Sequence, residues 1–309
     1  MKQKKKHITV LLGGWNDESD VSHSSGKDVI KALKELSYTV TAIDAPRCPR
    51  KLLTAIPQNT DVIFNALHGR GTEDGNIQGL LNLLGIPYTH SGLLSSALAM
   101  DKSMAKRIFS QNNILSPKGG IFPIKAIREK HVIQPPYVVK PNYEGSSLGV
   151  YIIEKGDEPP KLEEWRFSKT ALVEEYIPGR EIFVSIMGDK SLGIVEVNPS
   201  VKFYDYRAKY TKGITEYICP ANIDEEIRHK AEEISLKAFH ALECRGIART
   251  DIRYNPEAPI GKQLYLLEVN TQPGLTPLSL FPMAAKKYGL SYNELIDWIV
   301  RSATCDPKI

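Results

Sequence analysis

The chain has 309 residues, 42% hydrophobic and 25% charged, with a formal net charge of +4. That length supports a large buried core without disulfides or a structural metal, and so small a positive balance excludes nucleic acid or a membrane surface as the default partner. Four scattered cysteines, Cys48, Cys219, Cys244 and Cys305, form no CxxC pair and lack the companion histidines of a zinc site, so reduced thiols in the cytoplasm are expected.

The lysines between Lys2 and Lys6 are followed by an apolar run, Ile8 to Leu12, too short for a signal-peptide core; it reads as a first buried strand. No stretch approaches the roughly 18 apolar residues a membrane span needs. After Gly13-Gly14 a helical period covers about Ser24 to Leu36, with Val29, Ile30, Leu33 and Leu36 on one face. Strand patterns over Tyr38 to Ile43 and Asp61 to Ala66 complete a small parallel α/β unit, whose ligands belong at the strand ends, after Leu12 and Leu67. A helical stretch from Gly92 to Gln111 leads to strands at Tyr137 to Lys140, Gly149 to Ile153 and Ala171 to Glu174. Further strands follow at Ile182 to Met187, Leu192 to Val197, Ile247 to Tyr254 and Gln263 to Val269, with a long helix over Asp224 to Leu242 and two terminal helices. The expected class is α/β and α+β, divided into units 1–92, 93–177 and 178–309. The polar, aromatic segment Asn198 to Gly213 suits a mobile functional loop.

Ordinary nucleotide motifs fail. Ser25-Gly26-Lys27 is followed by Asp28 and lacks the earlier glycine of a P-loop, and no GxGxxG follows a strand. In Leu266-Leu-Glu-Val-Asn-Thr-Gln-Pro-Gly274, by contrast, Glu268 and Asn270 stand two apart on a strand and share a face. Arg249 and Asp251 do the same in Ala248-Arg-Thr-Asp-Ile-Arg-Tyr254. Three hard oxygen donors and a fixed cation suit magnesium bridging phosphates; a polar solvent face is the alternative for either pair alone. Val138-Val-Lys-Pro-Asn-Tyr-Glu-Gly-Ser-Ser-Leu-Gly149 offers a lysine and a turn whose amides could cover phosphate oxygens, or a plain hairpin loop. Val173-Glu-Glu-Tyr-Ile-Pro-Gly-Arg-Glu181 reads as a nucleotide-facing segment or a charged hinge.

Together these runs resemble the ATP-grasp ligases. With Gly13 to Ser22, Leu67-His-Gly-Arg-Gly-Thr-Glu-Asp-Gly75 and Phe203-Tyr-Asp-Tyr-Arg-Ala-Lys-Tyr210, the resemblance narrows to the D-alanine:D-alanine ligase family, from Leu11 to about Leu295. It implies a three-subdomain ATP-grasp architecture and ATP-dependent ligation of two D-alanines through an acyl phosphate, for peptidoglycan synthesis. It implies that Lys102, Lys140 and Lys209 contact ATP phosphates, that Glu174, Glu175 and Glu181 face adenine and ribose, and that Tyr176 and Ile177 line the base pocket. Asp251, Glu268 and Asn270 would hold two magnesium ions, or manganese in their place. Arg249 and the Gly274 amide would stabilise the oxyanion, Glu18 and His68 would stand by the first D-alanine, and Ser279 with the Leu280 amide would hold the carboxylate of the second. Glu18, Ser146 and Tyr210 would form a hydrogen-bonded trio closing a lid at Ser200 to Glu216. A homodimer is also implied, with no nucleic acid and no membrane partner. The sequence departs from the family at Asp20, where a second Glu is frequent, at Arg207, where an acidic residue is frequent, and at Leu278, a position often polar. A ligase for longer peptides and a catalytically dead ATP-binding module are the competing readings; the small-substrate trio and the intact Arg249, Asp251, Glu268 and Asn270 set argue against them.

Overall fold

The computed structural model describes residues 6–199 and 215–306, arranged around three sheets. The first is parallel, with β1 (His7–Leu12) between β2 (Thr39–Asp44) and β3 (Val62–Asn65). Being central and covered on both faces, β1 is buried along its whole length. Helix α1 (Ser19–Glu35) begins ahead of the expected Ser24. Its opening turn escaped the apolar pattern because its inner face is built of small residues: Ser22, Ser25 and Gly26 are buried, and Ser22 Oγ donates to the Ala66 carbonyl at 2.7 Å. A Cβ at Gly26 would stand 2.7 Å from Leu12, so helix and strand approach too closely for any side chain there. Helices α2 (Pro49–Ala55) and α3 (Asn76–Leu84) complete this unit.

The expected helical stretch from Gly92 to Gln111 is two helices, α4 (Leu93–Met100) and α5 (Lys102–Gln111). Asp101 breaks it by leaving helical geometry and capping α5, its carboxylate accepting the Met104 amide at 3.0 Å. Beyond lie β4 (Gly119–Pro123), α6 (Ile124–Glu129), β5 (Tyr137–Lys140), β6 (Tyr151–Ile153) and β7 (Thr170–Glu175), an antiparallel sheet in the order β4-β7-β5-β6. Tyr137, Val139, Ala171 and Val173 pack against Ile124 and Ile127 of α6, which turns the alternate residues Val138, Lys140, Leu172 and Glu174 to the opposite face.

The third sheet contains β8 (Arg180–Met187), β9 (Lys190–Pro199), β10 (Thr215–Ile218), β11 (Ile247–Tyr254) and β12 (Leu264–Asn270), antiparallel in the order β10-β9-β8-β11-β12. Helix α7 (Glu225–Ala241) covers one face, where Ile227, Ala231 and Ala238 meet Ile182, Val184, Ile186, Ala248, Ile252, Leu266 and Val269. The other face carries Glu181, Phe183, Arg249, Asp251, Arg253, Glu268 and Asn270. Strict alternation would put Leu266 and Glu268 on one face. A register shift prevents this: Asp251 pairs with Glu268 but Ile252 with Leu266, leaving Leu267 as an extra residue between them. Helices α8 (Leu280–Tyr288) and α9 (Tyr292–Arg301) return to the parallel sheet, with Leu295, Ile296, Ile299 and Val300 in one cluster with Ile8, Val10, Val29 and Leu33. Among the described residues no helix is long and apolar enough to cross a membrane.

Candidate active site

The polar faces of the two antiparallel sheets confront each other across a cleft of about 330 Å³. One end is apolar, lined by Val138, Val150, Ile152, Tyr176, Ile177 and Leu267; the other carries Lys102, Lys140, Glu174, Asp251 and Glu268. The sheets are joined by the segment between β7 and β8, which Arg253 grips from below. Its guanidinium donates to the carbonyls of Ile177 (3.1 Å) and Gly179 (2.8 Å) and to Glu181 (3.0 Å), and lies over the Tyr176 ring. Gly179 has φ +109 and a Cβ there would collide with the Tyr254 carbonyl, so only glycine fits this crossing.

The charged end is a set of ion pairs. Arg249 clasps its own strand neighbour Asp251 through Nε (2.7 Å) and NH2 (2.8 Å). Lys102 Nζ lies 3.1 Å from Glu268 and donates to the Glu144 carbonyl at 2.7 Å. Burial opposes charge on this lysine, but Glu268, with Glu174 and Asp251 behind it, outweighs that and raises its pKa. Glu174, 3% exposed, is held by Lys140 and, at 2.6 Å, by Lys106. Burial favours its neutral acid, yet the two lysines prevail and lower its pKa.

The N-terminal unit meets this end through the loop ahead of α1 and the turn after β3. Ser146 Oγ donates to Glu18 at 2.7 Å, and a Cβ at Gly145 would stand 2.9 Å from the same carboxylate. Ser146 and Ser147 both hold left-handed backbone, φ 52 and 58, a cost of about 1 kcal/mol each that the tight turn over the cleft imposes. His68 is buried, with Nε2 3.4 Å from Ser25 Oγ and Nδ1 3.7 Å from Glu73. Glu73 in turn lines a small cavity with Lys102, Glu144, Glu268 and Asn270. A seam of neutral hydrogen bonds fixes the two units together: Asn65 Nδ2 donates to Gln272 Oε1 at 3.0 Å, Gln272 Nε2 to the Leu67 carbonyl, and the Gln272 amide to Asn270 Oδ1 at 2.8 Å. A Cβ at Gly274 would stand 3.1 Å from Ser279 Oγ, which also bonds Thr276 at 2.8 Å. Leu280 follows, buried at the start of α8, whereas Leu278 is 76% exposed.

Of the residues singled out from sequence, Lys102, Lys140, Glu174, Glu175, Tyr176, Ile177, Glu181, Asp251 and Glu268 all line the main cleft. Asn270 lines the small cavity next to it, Glu18 and Ser146 bond each other, and Gly274 adjoins Ser279. Lys209, Tyr210 and Arg207 lie outside the described residues, as does the expected lid up to residue 214. Its two flanks are paired, Pro199 with Thr215 and Asn198 with Glu216, and Asn198 and Pro199 border the cleft. Sequence reasoning missed Lys106, one helical turn beyond Lys102, and Arg253, two residues beyond Asp251 on the same strand face; periodicity gives their faces but not the partners, Glu174 and the Ile177 and Gly179 carbonyls, that fold against them.

Among the described residues no group of three or more His, Cys, Asp and Glu side chains is arranged to hold a metal. Asp251 and Glu268 are direct cross-strand partners, however, and Asn270 follows on the same face. Two carboxylates and an amide fit a cation that takes its remaining ligands from phosphates.

Residues 124–301 match the family described as D-ala D-ala ligase C-terminus, and residues 47–91 match D-ala D-ala ligase N-terminus. The chain is 48% identical to the D-alanine–D-alanine ligase of Zymomonas mobilis, over 99% of this chain and 96% of that protein. It is 46% identical to the D-alanine–D-alanine ligase of Parvibaculum lavamentivorans, over 97% and 98%. Among solved structures, D-alanine–D-alanine ligase from Bacillus anthracis complexed with ATP is 31% identical, with a TM-score of 0.80 and 97% of each chain covered. The VanG D-Ala:D-Ser ligase from Enterococcus faecalis is 27% identical, also with a TM-score of 0.80, covering 96% of this chain and 99% of that one.

Proposed function

The chain belongs to the D-ala D-ala ligase family, and from that premise we propose how its cleft joins two D-alanines at the expense of ATP. It is an ATP-grasp ligase whose product, D-alanyl-D-alanine, serves peptidoglycan synthesis. The observation that carries the assignment of roles is the shared face of β11 and β12, where Arg249, Asp251, Glu268 and Asn270 stand as ladder neighbours beside two buried lysines.

A carboxylate is a poor acyl donor because its leaving group would be oxide. The first D-alanine carboxylate therefore takes the γ-phosphoryl group of ATP, releasing ADP and forming an acyl phosphate. The amine of the second attacks that carbonyl, an amide forms, phosphate departs and the amine loses a proton. Tyr176 and Ile177 receive the base, with Glu174, Glu175 and Glu181 turned toward adenine and ribose. Lys102, Lys140 and Lys209 hold phosphates. Magnesium, or manganese in its place, held by Asp251, Glu268 and Asn270, neutralises phosphate charge when bound. Arg249 and the Gly274 amide face the developing oxyanion. Glu18 receives the first ammonium beside His68; Ser279 and the Leu280 amide receive the second carboxylate. Ser146, Glu18 and Tyr210 tie the closing loop so that water does not reach the acyl phosphate.

In this reading residues 1–92 are the substrate unit, 93–177 the central ATP-grasp unit and 178–309 the catalytic unit, acting as a cytoplasmic homodimer. ADP release with D-alanine alone, with L-alanine, and with D-alanine paired with D-serine or D-lactate tests the reading. D-alanine alone should support the full rate and L-alanine none. A D-alanine-independent rate, or a clear preference for D-serine or D-lactate as acceptor, would overturn it.

A further inference from the structure

Glu174 divides its two carboxylate oxygens between two lysines of different standing. Oε1 meets Lys140, which lines the cleft; Oε2 meets Lys106 Nζ at 2.6 Å, and Lys106 reaches it from α5, behind the cleft wall. A triphosphate arriving in the cleft competes for Lys140, because several phosphate charges outbid one carboxylate. Were Lys140 the sole partner of Glu174, each nucleotide that recruited it would strand a carboxylate only 3% exposed, an outcome strongly disfavoured. Glu174 would then protonate or move, and the connecting segment that carries Tyr176 and Ile177 follows it directly in the chain.

We propose that Lys106 is a positioning residue that keeps Glu174 ionised and in place while Lys140 turns from it to the nucleotide phosphates. The inference rests on the reading of this cleft as an ATP site. Lys106 touches no phosphate. It acts through Glu174: burial, joined by the nearby Lys140 charge, opposes its ammonium and lowers its pKa, and the Glu174 carboxylate is what favours the charged form.

The test compares wild type, Lys106→Met, Lys106→Gln, Lys106→Arg, Glu174→Gln and the double variant Lys106→Met/Glu174→Gln. It reads KM for ATP, kcat, melting temperature, and calorimetric binding of a non-hydrolysable ATP analogue with magnesium. Lys106→Met and Lys106→Gln should raise KM for ATP about tenfold, with kcat at saturating ATP within about threefold of wild type, and Lys106→Arg should restore most of the affinity. In the Glu174→Gln background, Lys106→Met should change KM little, since the charge it guards is gone. A lowered melting temperature with KM for ATP within about twofold of wild type would mean a packing role and overturn the inference, as would an equal loss in both backgrounds. Wild type that binds no analogue would overturn the ATP reading itself, and the inference with it.

Discussion

The charged cleft and the seam behind it lie a few residues apart along β12, yet they are held by opposite means. Around the cleft Lys102 meets Glu268, Arg249 meets Asp251, and Lys106 and Lys140 meet Glu174. At the seam, Asn65, Leu67, Asn270 and Gln272 are joined by uncharged hydrogen bonds, and the buried His90 packs edge-on to Phe64. Ion pairs can be exchanged for a charged ligand at small net cost. Buried amide pairs cannot, because each lost partner strands a polar group. On the proposed reading, charge is thus placed where contacts must change each turnover, and neutral bonds where they must not.

Four experiments would break or sharpen that contrast. The largest effect is expected from Glu268→Gln, which should lower ADP formation at saturating magnesium about a thousandfold or more, through loss of a phosphate-neutralising ligand; a near-normal rate would remove the assignment. Next, Gln272→Ala should destabilise the fold by about 2–4 kcal/mol in urea unfolding, since it strips partners from Asn65 and the Leu67 carbonyl. A double-mutant cycle with Asn65→Ala should show coupling, and independent additive losses would mean the pair does not hold the seam.

The third concerns His90, whose pKa burial and then the nearby His68 lower from 6.5 to about 3. The unfolded chain takes up a proton near pH 6.5 that the folded chain refuses until about pH 3. The neutral ring's contribution is therefore intact above pH 6.5 and is lost as pH falls through that window. Between pH 7 and 5 it should cost about 2 kcal/mol of stability, and His90→Leu should flatten that part of the curve; an unchanged slope would show that the seam tolerates the charge. The smallest effect is expected from Ser146→Gly, which suits the left-handed backbone and removes the hydroxymethyl group bonded to Glu18. It should lower kcat/KM for D-alanine about tenfold with stability unchanged.

Much of the architecture was legible because periodicity is local. Tyr137–Lys140 and Ile247–Tyr254 are strands over the residues their alternation marks. The start of α1 was hidden because Ser22 and Ser25 bury small polar faces that no hydropathy pattern registers. Gly119–Pro123 went unnoticed as a strand because its glycines and proline suit only an edge, which is where it lies. In the site, residues two apart on a strand declared themselves, whereas Lys106 and Gln272 did not. A lysine on a helix reads as solvated, and a glutamine offers no chemistry, until the partner brought from elsewhere in the chain is known.

The supernumerary residue in β12 has a practical consequence. Because Asp251 already faces Glu268 and Ile252 already faces Leu266, the hydrogen-bonded ladder would close without Leu267. That position is a spare rung whose side chain the sheet does not require, although the apolar end of the cleft uses it. Shortening the strand there should be gentler than adding a residue on either side. An engineer wishing to reshape the cleft can therefore edit chain length at this point while leaving the neighbouring oxygen donors in frame.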